Sequence, residues 1–204
     1  MKRFFTSYFR RRQKAKRSKP AKFGDVYAVE AFLAPFARDE VRACMVKGGD
    51  MIIGEKQCPD TLNGLTMGEL IDISEKQGDS LDLFREYLEK VLHVTTRDEV
   101  ILNLPATRVY GFINFVRAEL ERINNLFASI KSEPTPEEKE AGVDRLNFGM
   151  FGLLDCYAQR MGITSHEDAS KAPWLNVFAC MRIDNEFKAY RQRLQEVMNK
   201  RRTQ

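Results

Sequence analysis

The stretch that decides the fold class lies at residues 105–130 and reads PATRVYGFINFVRAELERINNLFASI. Its apolar side chains recur at alternating intervals of four and three residues, at Val109, Ile113, Val116, Leu120, Ile123, Phe127 and Ile130. This spacing places them on one face of an α-helix, whereas a strand would send successive side chains to opposite faces. Arg117, Glu121 and Asn125 fall on the other face. The stretch therefore predicts a helix over 106–130 that buries one face.

Helix-start signals recur along the chain. Thr is followed three residues later by Glu at Thr66/Glu69, Thr96/Glu99, Thr135/Glu138 and Thr164/Glu167. In such a capping box the Thr side chain accepts a hydrogen bond from the third helical N–H, and the Glu accepts one from the N–H of the Thr. Two further apolar stripes predict helices. The helix near 80–92 has a stripe formed by Leu81, Phe84, Leu88 and Val91. The helix near 144–161 has a stripe formed by Leu146, Met150, Leu153, Leu154, Tyr157 and Met161. We expect a predominantly all-α fold, an irregular helical bundle with a long C-terminal helix.

The last helix is predicted to run from about residue 173 to 200. Its first half is apolar on most sides, and we expect it to be buried; these residues are Trp174, Leu175, Val177, Phe178, Cys180, Met181 and Ile183. Its second half narrows to one apolar stripe, formed by Phe187, Tyr190, Leu194 and Val197. Lys188, Arg191, Arg193 and Glu196 flank this stripe. A stripe this apolar on so charged a helix predicts a protein-binding surface, for a second copy of the chain or for a helical client.

The charge of the chain is unevenly distributed. Residues 1–22 hold ten cations and no acid, so the other 182 residues carry 23 cations against 29 acids. We expect residues 1–22 to form a disordered basic arm, because dense like charges keep a segment extended. The arm is compatible with phosphate binding to nucleic acid, with a mitochondrial presequence or interfacial anchor, or with a solvated tail. The candidate nucleic-acid-binding residues are Arg10, Arg11, Arg12, Lys14, Lys16 and Arg17.

The remaining segments complete a predicted domain plan. Residues 25–47 indicate a helix interrupted at Pro35, and Met51-Ile52-Ile53 between turn signals indicates a marginal strand. The Pro- and Glu-rich residues 131–140 indicate a linker. We therefore expect an arm at 1–22, an N-terminal helical region at 23–130, and a C-terminal helical region at 134–204 that packs on it.

The sequence contains no recognisable catalytic, metal or cofactor site. It lacks the phosphate-binding, dinucleotide-binding, zinc-protease and serine-hydrolase motifs. Its four cysteines form no C-x-x-C pair, which favours reduced thiols in a cytosol, and no apolar run reaches 18 residues. We expect His93 to end a helix, His166 to be solvated, and the glycines of Phe148-Gly-Met-Phe-Gly152 to allow close helix packing. These features predict a non-enzymatic protein without cofactor, metal or membrane span.

Four segments carry a resemblance to a known family. They are Leu65-Thr-Met-Gly-Glu-Leu-Ile-Asp-Ile73, the segment Glu99–Pro105 before the long helix, Ala141-Gly-Val-Asp-Arg-Leu-Asn-Phe-Gly149, and Ala172-Pro-Trp-Leu-Asn-Val-Phe178. Over roughly residues 62–204 the chain resembles tail assembly chaperones encoded in the tail modules of phages and prophages of Bacteroidetes-type hosts. The resemblance implies a small helical protein in the host cytoplasm that coats a tape-measure protein until the tail tube replaces it. The basic arm is not part of that pattern, and a virion structural or nucleic-acid-binding protein is the alternative.

Overall fold

The computed structural model describes residues 20–33, 43–130, 134–146 and 148–202, and it confirms the predominantly α-helical fold. The helices are α1 (Phe23–Leu33), α2 (Met67–Glu75), α3 (Ser80–Leu92), α4 (Asp98–Leu102), α5 (Ala106–Ser129), α6 (Pro136–Glu140), α7 (Gly149–Met161), α8 (His166–Ser170) and α9 (Trp174–Arg202). A 3-10 turn at Val143–Arg145 precedes α7. Among the described residues, the only strands are β1 (Met51–Ile53) and β2 (Lys56–Gln57), which pair antiparallel. The marginal strand expected at Met51–Ile53 is thus one arm of a short hairpin.

Helix α5 lies at the centre of the core. Of its predicted seam, Val109, Ile113, Val116, Ile123 and Phe127 are buried, and the two other seam residues pack against the core at its margin. The first half of α5 also buries residues outside the seam, because α3 and the 44–46 loop pack on further sides of it; these residues are Tyr110, Phe112 and Phe115. The loop approaches closely at Gly111, where an added Cβ would lie 2.8 Å from Cγ1 of Val46. Glycine is therefore required there by close contact.

The loop at residues 62–66 joins the two predicted helical regions. Glu119 on α5 accepts hydrogen bonds from the backbone N–H of Leu62 (2.9 Å) and from Arg122 (2.8 Å). These bonds hold the pKa of Glu119 below its ordinary value of 4.5. The bond from Arg122 contributes most, and the bond from the Leu62 N–H adds to it. On the other side of the loop, Met67 N–H donates to Ala172 O (2.8 Å). The C-terminal region thus packs directly on the N-terminal region.

Two of the four predicted capping boxes form. Thr66 and Thr135 each cap a helix with the reciprocal Glu contact. The prediction at Thr96 is wrong, because α4 begins one residue later, after Arg97, which makes no side-chain cap. The prediction at Thr164 is also wrong, because Ser165 caps α8 by accepting from Asp168 N–H. Where two or three adjacent residues can each start a helix, the pattern alone does not choose the cap.

The N-terminal end of the described chain is tied to the body. Ala106 N–H donates to Ala21 O (2.9 Å), and Phe23 N–H donates to Leu104 O (2.7 Å). Between them, Lys22 Nζ donates to Asn103 Oδ1 (2.8 Å), and the Phe23 ring is fully buried. The body therefore begins about two residues before the expected boundary at 23. The predicted break at Pro35 and the six candidate nucleic-acid-binding residues of the arm lie outside the described residues.

The third predicted stripe is wrong at both ends. Helix α7 begins at Gly149 rather than 144, and Leu146, Phe148 and Met161 are exposed. Gly149 has a φ of 55°, a left-handed conformation that favours glycine and breaks the chain direction before the helix. A Cβ on Gly152 would lie 2.6 Å from Cβ of Phe148, and its three nearest neighbours all belong to that side chain. Neither glycine is therefore in close contact with another helix of the described chain, contrary to the expectation.

Candidate functional site

The start of α9 is anchored deep in the core, as the sequence predicts for Trp174. The indole is fully buried, and its Nε1–H donates to Leu62 O (2.9 Å). The Phe127 ring of α5 lies 6.0 Å from the Trp174 ring and 5.5 Å from the Phe178 ring, centroid to centroid. Tryptophan is stable in a core when its N–H has such a partner. These contacts fix the direction in which α9 leaves the body.

Charged contacts hold the middle of α9 against the body. Arg160 on α7 bonds both the Cys180 carbonyl (3.1 Å) and the carboxylate of Asp184. Farther along, Lys188 Nζ lies 3.2 Å from Glu138 Oε1 on α6. The pKa of Glu138 is held below its usual value by the Thr135 N–H of the capping box and then by Lys188. Every residue from Tyr190 to Arg202 is exposed, so this is where the helix leaves the body.

The predicted protein-binding residues form a continuous exposed stripe on this helix. Phe187 is 58% exposed, Tyr190 53%, Leu194 44% and Val197 47%. Ile183, at 40%, extends the stripe toward the body; its burial was predicted from sequence and is wrong, as is that of Leu175. We call Ile183, Phe187, Tyr190, Leu194 and Val197 the outer stripe.

The outer stripe faces away from the core. Met181 is buried, and Tyr190 lies nine residues farther along. Nine residues span two and a half helical turns, so the two side chains point about 180° apart. The anchor and the stripe therefore occupy opposite faces of α9, and covering the stripe requires no displacement of the body.

A second exposed apolar group lies at the start of α7, and sequence reasoning missed it. Leu146 is 63% exposed, Phe148 69% and Phe151 49%. The Phe151 ring lies 5.1 Å from the ring of His166, whose Nε2 is 2.8 Å from Asp155 Oδ1. His166 is exposed, as expected, and it also contacts both of these residues. Gly149 directly after Phe148 was the sequence signal for a helix start there.

A cleft of about 610 Å³ opens between α1, α3 and α5, but its polar groups serve the fold. Tyr27 Oη donates to Asp79 Oδ2 (2.7 Å), while Asp79 Oδ1 accepts from Leu81 N–H and Asp82 N–H at the start of α3. These bonds hold the pKa of Asp79 below its usual value. The bond from the Asp82 N–H contributes most, and the bond from Tyr27 comes next. An acid kept ionised as a helix cap is poorly suited to proton transfer.

His93 and the cysteines are the remaining residues whose side chains could take part in chemistry. His93 ends α3 in the left-handed conformation (φ 52°), with Nδ1 3.7 Å from Glu69 Oε1, as expected of a helix C-terminal residue. The four cysteines all lie in the described part of the chain, and no disulfide joins them. Burial raises the pKa of the Cys58 thiol to about 12, and the negative charges of Asp50 and Asp60 add to this effect.

Neither a metal site nor a membrane-spanning helix is present among the described residues. Within the described ranges, no group of three or more His, Cys, Asp or Glu side chains is placed to hold a metal ion. None of the helices that the structure describes combines the length and apolar character needed to cross a membrane. Comparison with protein families, with curated proteins and with solved structures finds no match to this chain.

Proposed function

We propose that this chain is a non-enzymatic protein-binding protein whose binding surface is the outer stripe of α9. The observation that carries the proposal is the placement of five large apolar side chains on the exposed face of a helix whose opposite face is anchored by Trp174. Surface patches of this kind mark interaction sites. Long charged side chains beside the stripe keep the free helix in solution, as the rim of an interface does.

The outer stripe offers apolar burial energy for binding, to which the apolar face of the client would add. Fully burying one large apolar side chain contributes about 1.5–3 kcal/mol. Covering five side chains that are about half exposed offers roughly 4–8 kcal/mol before the cost of association. A straight stripe on a helix best fits another amphipathic helix, which can place its own residues between those of the stripe.

The resemblance to tail assembly chaperones supplies the kind of client. We propose that the chain binds an extended helical protein of the tape-measure kind in the host cytoplasm during phage tail assembly. Such a client exposes apolar helix faces until the tail tube covers them, and the outer stripe would cover those faces in the interval.

Co-expression tests this proposal. The chain is produced together with the tape-measure protein of the same phage or prophage, and the tagged chain is purified. Wild-type chain should retain the client in the soluble fraction, whereas Tyr190→Glu/Leu194→Glu should lose it, because two carboxylates would have to be buried in the interface. Gln192→Glu/Gln195→Glu adds the same two charges on another face of the helix and should retain the client. Loss of the client in both variants, or in neither, would overturn the proposal.

The alternative is a virion structural or nucleic-acid-binding protein. The exposed end of α9 adds Lys200, Arg201 and Arg202 to the cations of residues 1–22. Binding through phosphates weakens steeply with salt. Salt-dependent retardation of DNA in a gel, lost on removal of residues 1–19, would support this alternative; that deletion keeps Ala21 and Lys22 in place on the body.

A further inference from the structure

We propose that, without a client, the outer stripe is covered by a second copy of this chain, with the two α9 helices antiparallel and centred between Lys188 and Ala189. This inference rests on the proposed function, because it takes the outer stripe to be a protein-binding surface. It adds the identity of one occupant, the direction of the helix pair and its register.

The spacing of α9 is that of a coiled-coil seam. Ile183, Phe187, Tyr190, Leu194 and Val197 alternate by four and three residues, which assigns them to the a and d positions of successive heptads. With the stated centre, Phe187 of each copy lies beside Tyr190 of the other, and Ile183 lies beside Leu194. The centre nearly coincides with the midpoint of Trp174–Arg202, so the two helices overlap along their whole length.

Charge complementarity selects this register. The positions flanking the seam place Glu186 opposite Arg193 of the second copy and Asp184 opposite Arg191, and the two-fold symmetry repeats both pairs. All four residues are exposed on α9. Asp184 is half exposed beside Arg160, and its carboxylate has capacity for a second cation. Opposite charges thus meet at all four flanking contacts.

The neighbouring registers bring like charges together. Sliding the pair by one heptad in one direction places Arg191 opposite Arg191 of the second copy, and Arg193 opposite Arg193. The only favourable charge contact in that register is Glu186 opposite Lys200. Sliding it in the other direction sets Asp184 against Asp184 and Glu186 against Glu186. A parallel pair keeps only the contact of Glu186 with Arg191. Like-charge contacts of this kind discriminate between helix pairings.

The body leaves this face accessible to a second copy. Trp174, Met181 and the Lys188–Glu138 pair all lie on the other side of α9. The basic arm of the same chain is a poor rival occupant, since residues 184–202 hold six cations and three acids, and residues 1–22 hold ten cations and no acid. Charge of the same sign on both partners opposes docking of the arm there.

Dimer dissociation constants measured by sedimentation equilibrium test the inference on the full chain. Glu186→Arg and Arg193→Glu, each alone, create two like-charge contacts and should each raise the dissociation constant about tenfold. The double variant Glu186→Arg/Arg193→Glu should return it to the wild-type value. The matched double variant Glu186→Arg/Arg191→Glu should bind more weakly than either single variant. Circular dichroism checks that each variant stays helical.

Crosslinking supplies a second readout of direction. In the variant Ile183→Cys/Leu194→Cys, oxidised glutathione should join the thiol introduced at position 183 of one copy to the thiol introduced at position 194 of the other, as identified by mass spectrometry. A link between the same position of the two copies, or restored dimerisation in Glu186→Arg/Arg191→Glu, would show a parallel pair and overturn the inference. A monomeric wild-type chain would also overturn it. A monomer that still co-purifies with the tape-measure protein would overturn the inference and leave the proposed function standing.

Discussion

Replacing Phe127 by Ala should be among the most destabilising single changes in the chain. Phe127 is 4% exposed and contacts the rings of Trp174 and Phe178, so it connects α5 to the anchored start of α9. Truncating a buried Phe to Ala costs about 3–5 kcal/mol in free energy of unfolding, because burial is lost and a cavity is left. Each aromatic contact accounts for about 0.5–1.5 kcal/mol of this. In a chain of this size, such a loss lowers the Tm by roughly 6–20 °C.

Urea unfolding followed by circular dichroism measures the effect, and two further variants sharpen it. Phe127→Leu keeps most of the buried area and loses the aromatic contacts, so it should cost about 1–2 kcal/mol. Phe148→Ala makes the same chemical change at a site that is 69% exposed, and it should alter stability by no more than about 0.5 kcal/mol. If Phe127→Ala cost no more than Phe148→Ala, α9 would not be anchored through this contact, and the fixed direction of the outer stripe would have no basis.

Three further outcomes follow from local contacts. Thr66→Ala should cost about 1 kcal/mol in unfolding free energy because a capping box is lost, whereas Thr96→Ala should cost little, since Thr96 caps no helix. Glu119 is held ionised by its neighbouring guanidinium, so its stabilisation is present above its ordinary pKa of 4.5 and lost as the pH falls through its lower folded pKa. The difference in free energy of unfolding between wild type and Glu119→Gln, measured in urea, should therefore narrow as the pH falls below 4.5. At pH 8 a maleimide should modify the exposed Cys156 quickly and the buried Cys58 only after denaturation; equal rates would contradict the burial of Cys58.

The elements with strong periodicity were predictable from sequence. The seam of α5 and the stripe of α3 follow from apolar spacing on a single face, the Trp174 anchor follows from a helix half that is apolar on most sides, and each is found as expected. Periodicity works there because one face of the helix meets the core and the other meets solvent. The exposure of the stripe also follows from the sequence, because a helix with so many charged residues beside the stripe cannot be buried in a core. The residues of this stripe are Phe187, Tyr190, Leu194 and Val197.

The errors have two physical causes. Leu175 and Ile183 lie on α9 beside buried residues but on faces that point away from the core, whereas Leu146 and Met161 lie at the two ends of the predicted α7 stripe; all four are exposed. Spacing defines a helix face and gives no information on how far a partner element extends along that face. The same limit explains Phe148 and Phe151, since a glycine that starts a helix and a glycine that allows close packing look alike in sequence.

Hydrogen exchange across residues 184–202 tests the central claim most directly. In the monomer, at protein concentrations below the dimer dissociation constant, the exposed end of α9 should exchange its amide protons rapidly, because short isolated helices are only marginally stable in water. When the proposed tape-measure client is added to the full chain, we expect strong slowing of exchange at 187–198, and no slowing when the client is mixed with Tyr190→Glu/Leu194→Glu. Slowing confined to another surface, with 187–198 exchanging as fast as in the free chain, would contradict the claim that the outer stripe is the binding site.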